Sequence, residues 1–138
     1  MDNEIRLFEG AIELLESLQG RVKLGLASMN NRSVIEHSLQ SRGIRKLFDT
    51  VITAEDILRP KPNPEIFLKC AMRLTSNPAK CVVIEDSIFG AVAAKTAGMS
   101  CIAVLTGVYS KEDLNKVHPD LILNSLMQQR EILDFIFK

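Results

Sequence analysis

An α/β fold, a parallel sheet covered by helices on both faces, is what the sequence predicts, and three observations predict it. Short β-rich runs alternate with stretches of helical period, which is the signature of strand-helix-strand units. The chain has 138 residues, 46% of them hydrophobic, enough to bury a core in a single domain. No repeat or low-complexity segment interrupts the alternation. In open sheets of this kind ligands collect outside the carboxyl ends of the strands, so residues at those ends are the ones to weigh.

The elements follow in order. Residues 8 to 18 place Ile12, Leu15 and Leu18 on one helical face, and Gly20 closes the helix. "VKLGLAS", 22 to 28, reads as a buried strand. Asn30 or Asn31 can cap a helix that turns Val34, Ile35 and Leu39 inward, with Gly43 as a left-handed stop. "TVITA", 50 to 54, is a second short strand. Pro64 suits the first turn of a helix capped by Asn63 and lined inside by Ile66, Phe67, Cys70, Ala71 and Leu74. "KCVVIED", 80 to 86, is the most strand-like run present; it leads into the small-residue helix "SIFGAVAAKTAG" and the strand "MSCIAVLTG", 99 to 107. A brief strand near Leu121 to Leu123 and a C-terminal helix complete the chain.

Charge and cysteine usage narrow the function classes. Lys plus Arg and Asp plus Glu each total 17, so no net field draws the protein to nucleic acid or to an anionic membrane. Basic-aromatic interleaving is absent, and Phe67, Phe89, Phe135 and Phe137 read as core or interface rather than as a stacking platform for bases. His37 and His118 read as exposed. Cys70, Cys81 and Cys101 are odd in number, lack metal-ligand spacing and sit in apolar settings, which favours reduced thiols and a cytoplasmic location. No signal-peptide pattern opens the chain, and no apolar run approaches the roughly 20 residues that span a bilayer.

Three polar clusters fall at strand ends. Ser28 follows the first strand, where its hydroxyl and the N–H groups after it could cradle a phosphoryl group, or where it could simply cap the next helix. In "RPKPNPEIF", 59 to 67, three prolines hold Lys61 and Asn63 extended. Such stiffness aims Lys61 at an anion, although a solvated loop lysine is the simpler alternative. Glu85 and Asp86 end an apolar strand, where adjacent carboxylates call for a cation such as Mg²⁺ or for several donors; the simpler alternative is that Asp86 or Ser87 caps the helix that follows. Gly90 allows either a close backbone approach or tight helix packing.

Taken together and in order, "GLASMNN", "RPKPNPEIF" and "VVIEDSIFGAVAAKTAGM" resemble the second, third and fourth motifs of the haloacid dehalogenase (HAD) superfamily, in its beta-phosphoglucomutase and phosphoglycolate phosphatase-like branch. The resemblance runs from about residue 8 to the C-terminus; its lysine motif and ED-S-x-x-G helix form a specific pair, and its serine motif is a looser match. It implies a three-layer Rossmann-like core acting on small phosphorylated metabolites with Mg²⁺. By that likeness Ser28 would bind the transferring phosphoryl group with the N–H groups of Met29 and Asn30, and Lys61 would steady the charge of nucleophile and phosphate. Asp86 would ligate Mg²⁺, Glu85 would ligate it or orient a bound water, and Ser87 would support those carboxylates.

The chain departs from the pattern in two respects. Family members transfer the phosphoryl group to the first aspartate of a DxD motif that ends an N-terminal strand. Asp2, Asp49, Asp56, Asp113, Asp120 and Asp134 all lack both the strand and the partner. The helical cap between the first and second motifs is absent too. The expectation is therefore one core domain, 1 to 138, lacking the usual first central strand and close to inactive in this form.

Three outcomes follow for the sheet. The neighbouring strands close on each other, residues 3 to 8 or another chain fill the slot, or the fragment is loosely folded; a repaired sheet is the expectation. The alternative function is a non-catalytic binding or assembly module on the same scaffold. A phospho-receiver domain fails on motif order, since its acidic pair precedes the lysine.

Overall fold

The computed structural model describes residues 9 to 138, so the segment 3 to 8 and the expected helix start at Phe8 lie outside the described residues. The element order is α1 (Ala11–Leu18), β1 (Gly25–Ala27), α2 (Arg32–Ser41), β2 (Thr50–Ile52), α3 (Glu65–Arg73), β3 (Val82–Glu85), α4 (Ile88–Thr96), β4 (Ser100–Val104), α5 (Lys111–Asn115), β5 (Leu121–Leu123) and α6 (Gln129–Ile136). All strand pairs are parallel, and helices lie on both faces, as the alternation requires.

Local signals set most helix ends. The Asn31 side chain accepts from the Val34 N–H at 3.0 Å, which selects Asn31 over Asn30 as the cap of α2. Ser87 caps α4 by accepting from the Gly90 N–H at 3.0 Å. Gly43 takes the left-handed conformation (φ 69°) past the end of α2. The start of α3 falls one residue later than expected: Pro64, and not Asn63, is the cap residue and has no side-chain bond to give, while the Asn63 side chain accepts from the Glu65 N–H at 3.0 Å just outside it. The short α5 is an addition to the expected elements, yet its signal is local: Ser110 and Asp113 form a reciprocal capping box.

Two further expectations are corrected. The buried stripe of α1 is Leu14 and Leu18, with Leu15 half-buried, while Ile12 is exposed. Ile12 lies two residues, about 200° of helical turn, from Leu14 and so points away from the core. The first strand is also shorter than 22 to 28, because regular pairing with β2 covers only Gly25↔Thr50 to Ala27↔Ile52.

For the sheet, the described residues decide one of the three outcomes. β1 pairs with β2, and β3, β4 and β5 form a separate three-stranded sheet; among the described residues no pairing joins β1 to β3. Direct closure of the two neighbours is therefore not the repair. The two sheets are held instead by the helical layers. Ala27 and Val83 pack into one apolar cluster with Ile66, Phe67 and Ala71 of α3 and Ala91 and Ala94 of α4. On the other face Leu24, Val82 and Ile84 share a cluster with Leu14, Leu18 and Ile132.

A polar network ties the loops that follow β1 and β2. The Arg32 guanidinium meets Asp56 at 2.5 Å, the Thr53 N–H donates to the same carboxylate at 2.8 Å, and Glu55 accepts from the Arg32 N–H at 2.9 Å. Burial pushes the Asp56 carboxyl up, but the Thr53 N–H, the Arg32 guanidinium and the Thr53 hydroxyl together outweigh it and hold the group below its ordinary 3.8. A depressed native value means that the stabilisation is full above the unfolded value and is lost as pH falls through the folded one. The Asp56→Asn variant is expected to show a shallower fall of Tm below about pH 4 than the parent chain. Parallel Tm curves from neutral to acid pH would show that Asp56 makes no such contribution.

Candidate functional site

The loop that carries Lys61 is built by its neighbours. Pro60 to Asn63 form a tight turn, closed by the Asn63 N–H on the Pro60 carbonyl at 3.0 Å, with a cis Lys61–Pro62 peptide. Glu65, in the first turn of α3, accepts from the Leu58 N–H and from the Arg59 N–H at 3.3 Å. The Leu58 N–H bond is the main reason that its carboxyl sits below the ordinary range, against burial and with help from Arg59. Glu65 thus clamps the loop, a positioning role outside the sequence expectations; its only signal is an acid in a helix's first turn.

Lys61 is aimed as the prolines suggest. Its ammonium lies 2.9 Å from Glu85 Oε2 and 5.1 Å from the centre of the Phe67 ring. The two side chains of the ion pair keep only 16% and 12% of their exposure, so this is a sheltered charge and not a solvated loop lysine. Phe67 itself is buried, so it serves the core and this cation face together.

Gly90 explains how Glu85 fits. A Cβ on Gly90 would lie 2.0 Å from the Glu85 Cδ, so the carboxylate occupies the space that a side chain would take on the first turn of α4. The close approach is to a side chain rather than to a neighbouring backbone. Glu85 Oε1 in turn accepts from the Asp86 N–H at 3.2 Å. With Lys61 on Oε2, both Glu85 oxygens have partners.

Asp86 differs. Its half-buried carboxylate makes no hydrogen bond or ion pair among the described residues. It packs against Gly107, where a Cβ would lie 2.8 Å from Asp86 Oδ2, and the adjacent Thr106 hydroxyl is buried without a partner. Neither residue of this loop after β4 is among the site residues expected from the sequence, since only the fold brings it beside Asp86. Ser87 caps α4, the simpler of the two roles read for it, and its support of the carboxylates is not a contact seen among the described residues.

Ser28 stands just beyond β1. Its N–H donates to the Ile52 carbonyl at 2.9 Å, and its Oγ accepts from the Asn30 N–H at 3.2 Å. The Ala54 N–H donates to the Asn30 carbonyl at 3.3 Å, tying this loop to the end of β2. Ser28, Met29 and Asn30 therefore sit at the carboxyl ends of β1 and β2, and Lys61, Glu85 and Asp86 at that of β3. No hydrogen bond joins Ser28 to Lys61 or Asp86 among the described residues. The Asn30 N–H is already engaged by Ser28, whereas the Met29 N–H makes no hydrogen bond among the described residues.

As for a metal, no group of three or more His, Cys, Asp and Glu side chains is placed to hold one among the described residues. The carboxylate that suits a cation is Asp86, being partly buried and unpaired. Mg²⁺ commonly uses one or two carboxylates and completes its shell with water and phosphate oxygens, so the donor set fits that ion through Asp86. Both histidines are exposed, and the three cysteines are free thiols. Burial pushes Cys70 up to about 11 and Cys101 up to about 12, so neither is a nucleophile near neutral pH. No helix among the described residues is long and apolar enough to cross a membrane.

Known proteins share both the sequence pattern and the architecture. The family model described as haloacid dehalogenase-like hydrolase matches residues 1–104. The validoxylamine A 7'-phosphate phosphatase of Streptomyces hygroscopicus subsp. limoneus is 37% identical over 123 residues, 88% of this chain and 56% of that protein. A crystal structure of beta-phosphoglucomutase from Clostridium difficile superposes with a TM-score of 0.79 at 29% identity, over 96% of this chain and 59% of the other. A HAD family hydrolase of Deinococcus radiodurans R1, solved with bound phosphate and sodium, gives a TM-score of 0.77 at 26% identity, over 93% of this chain and 59% of the other. The chain thus spans little more than half the length of each of these three proteins.

Proposed function

The chain belongs to the haloacid dehalogenase-like hydrolase family, and from that premise we propose that it is the core of a phosphohydrolase or phosphomutase for small phosphorylated metabolites, one that binds phosphate and Mg²⁺ at the strand-end rim but turns over little or not at all by itself. The observation that carries the reading is the sheltered Lys61–Glu85 pair beside the unpaired Asp86. Lys61 presents a fixed ammonium to phosphate oxygens, and Glu85 holds it in place rather than ligating a metal directly. Asp86 holds Mg²⁺, which when bound neutralises phosphoryl charge. Ser28 and the Met29 N–H grip the phosphoryl group from the other side. Phosphoryl transfer depends chiefly on such positioning and charge stabilisation, so a site of this kind retains binding even where turnover is lost.

Binding, then, is the test. Inorganic phosphate added with Mg²⁺ is expected to shift the backbone amide resonances of Met29 and Ser87. Lys61→Met should weaken the phosphate response by about tenfold, the loss of one charge-assisted contact, while Asp86→Asn should abolish the Mg²⁺ dependence. Unaltered titrations in both variants would show that the rim does not bind phosphate in this way. The competing reading, a binding module on the same scaffold, predicts no response to phosphate at all and gains its support from the open strand edges.

A further inference from the structure

Among the described residues, one buried side-chain oxygen or nitrogen has no hydrogen-bond partner, and it is the Thr106 hydroxyl. Threonine hydroxyls in turns usually bond to a nearby main-chain group, so this one is left over. The chain fixes it from both sides. The Leu105 N–H donates to the Leu123 carbonyl at 2.9 Å and holds the end of β4 against β5. On the other side Gly107 lies against Asp86: a Cβ there would come 2.8 Å from Asp86 Oδ2 and 2.9 Å from the Asp86 carbonyl oxygen. One trans peptide, about 3.8 Å from Cα to Cα, separates Thr106 from that contact. The end of β4 therefore brings an unpartnered hydroxyl into the neighbourhood of the Asp86 carboxylate, which makes no hydrogen bond or ion pair among the described residues either.

A buried hydroxyl without a partner is costly, and so is a sheltered carboxylate without a donor or a cation. A single hydrated cation relieves both. Mg²⁺ takes one or two carboxylates and keeps several of its waters, and each such water is fixed by an acceptor beyond the ion. A hydroxyl suits that duty. It carries no charge to compete with Asp86 for the ion, it has lone pairs to accept from a metal-bound water, and its own proton can go on to a phosphate or carboxylate oxygen. We propose that Thr106 is a positioning residue of the cation site, its hydroxyl accepting a hydrogen bond from a water of the hydrated Mg²⁺ that Asp86 holds. Gly107 belongs to the same arrangement, because a side chain at that position would push the loop away from Asp86. The assignment rests on the phosphate and Mg²⁺ reading of the rim and adds to it a residue that none of the sequence motifs contains.

Mg²⁺ titrations of the 138-residue chain in the presence of inorganic phosphate, read from the Ser87 amide resonance, test it together with thermal melts in the absence of metal. Thr106→Val keeps the shape and removes the hydroxyl; it is expected to weaken Mg²⁺ binding by about tenfold, the lower end of what such outer partners of a metal contribute. Thr106→Ser keeps the hydroxyl and is expected to bind Mg²⁺ as the parent does. In the metal-free melt Thr106→Val is expected to have a Tm equal to or above that of the parent, because a methyl replaces a hydroxyl that bonds to nothing. A residue that only supported the fold would instead lose stability and metal affinity together. Parent-like Mg²⁺ affinity in Thr106→Val would overturn the proposal, as would equal weakening in Thr106→Ser. So would a lowered metal-free Tm in Thr106→Val, which would mean that the hydroxyl is bonded within the protein. A parent chain without any Mg²⁺ response overturns the reading of Asp86 first and this assignment with it, a failure that shows before any variant is compared.

Discussion

Incubated with Mg²⁺ and p-nitrophenyl phosphate, the 138-residue chain is expected to release no p-nitrophenol above a protein-free blank. The reason lies in the aspartates. A covalent phosphoryl route needs a nucleophilic carboxylate in line with the phosphorus, and each described aspartate except Asp86 and Asp134 is bonded elsewhere. Asp49 accepts from the Leu24 N–H at the opposite end of β1, Asp56 holds Arg32, Asp113 caps α5, and Asp120 binds Lys95 and the Cys101 N–H. Asp134 lies on α6. Positioning and charge without the nucleophile leave about 10³- to 10⁴-fold over water in enzymes stripped of their catalytic groups, far too little to detect against phosphate-ester hydrolysis. Ready hydrolysis that disappears in Asp86→Asn would show that the site is complete without a DxD motif and would overturn this account.

The second large effect is structural. Gly90→Ala is expected to destabilise the chain by about 2–3 kcal/mol, because overpacking and the displaced Glu85 partner of Lys61 outweigh the helix propensity that alanine gains. In a chain of this size that corresponds to a Tm lower by roughly 10 °C. Since the clash is with the Glu85 side chain, the double variant Gly90→Ala with Glu85→Ala should recover part of the loss, a non-additivity that a thermal melt detects. A Tm raised by Gly90→Ala would mean that helix propensity decides the position and that Glu85 does not rest in that space.

The polar residues of the site are legible in the sequence motifs. Local pattern alone puts Ser28, Lys61, Glu85 and Asp86 at strand ends, and the prolines around Lys61 correctly imply an aimed side chain. Their partnerships are not legible. The Lys61–Glu85 pair closes across 24 residues, and nothing in the sequence near either residue states that both Glu85 oxygens will be occupied. In sequence Asp86 and Glu85 read as one acidic pair, yet the fold separates them into a lysine-bound group and an unpaired one.

By itself the sequence determined the elements: strand from helix by hydrophobic period, and most ends by the residues that stand there, such as Asn31, Gly43 and Ser87. These are local matters, because capping and turn chemistry involve groups a few residues apart. Tertiary structure alone decided which strands pair, which carboxylate is left without a partner among the described residues and why Gly90 must lack a side chain. Each of those depends on how closely segments distant in sequence approach, and close packing sets that distance for the molecule as a whole.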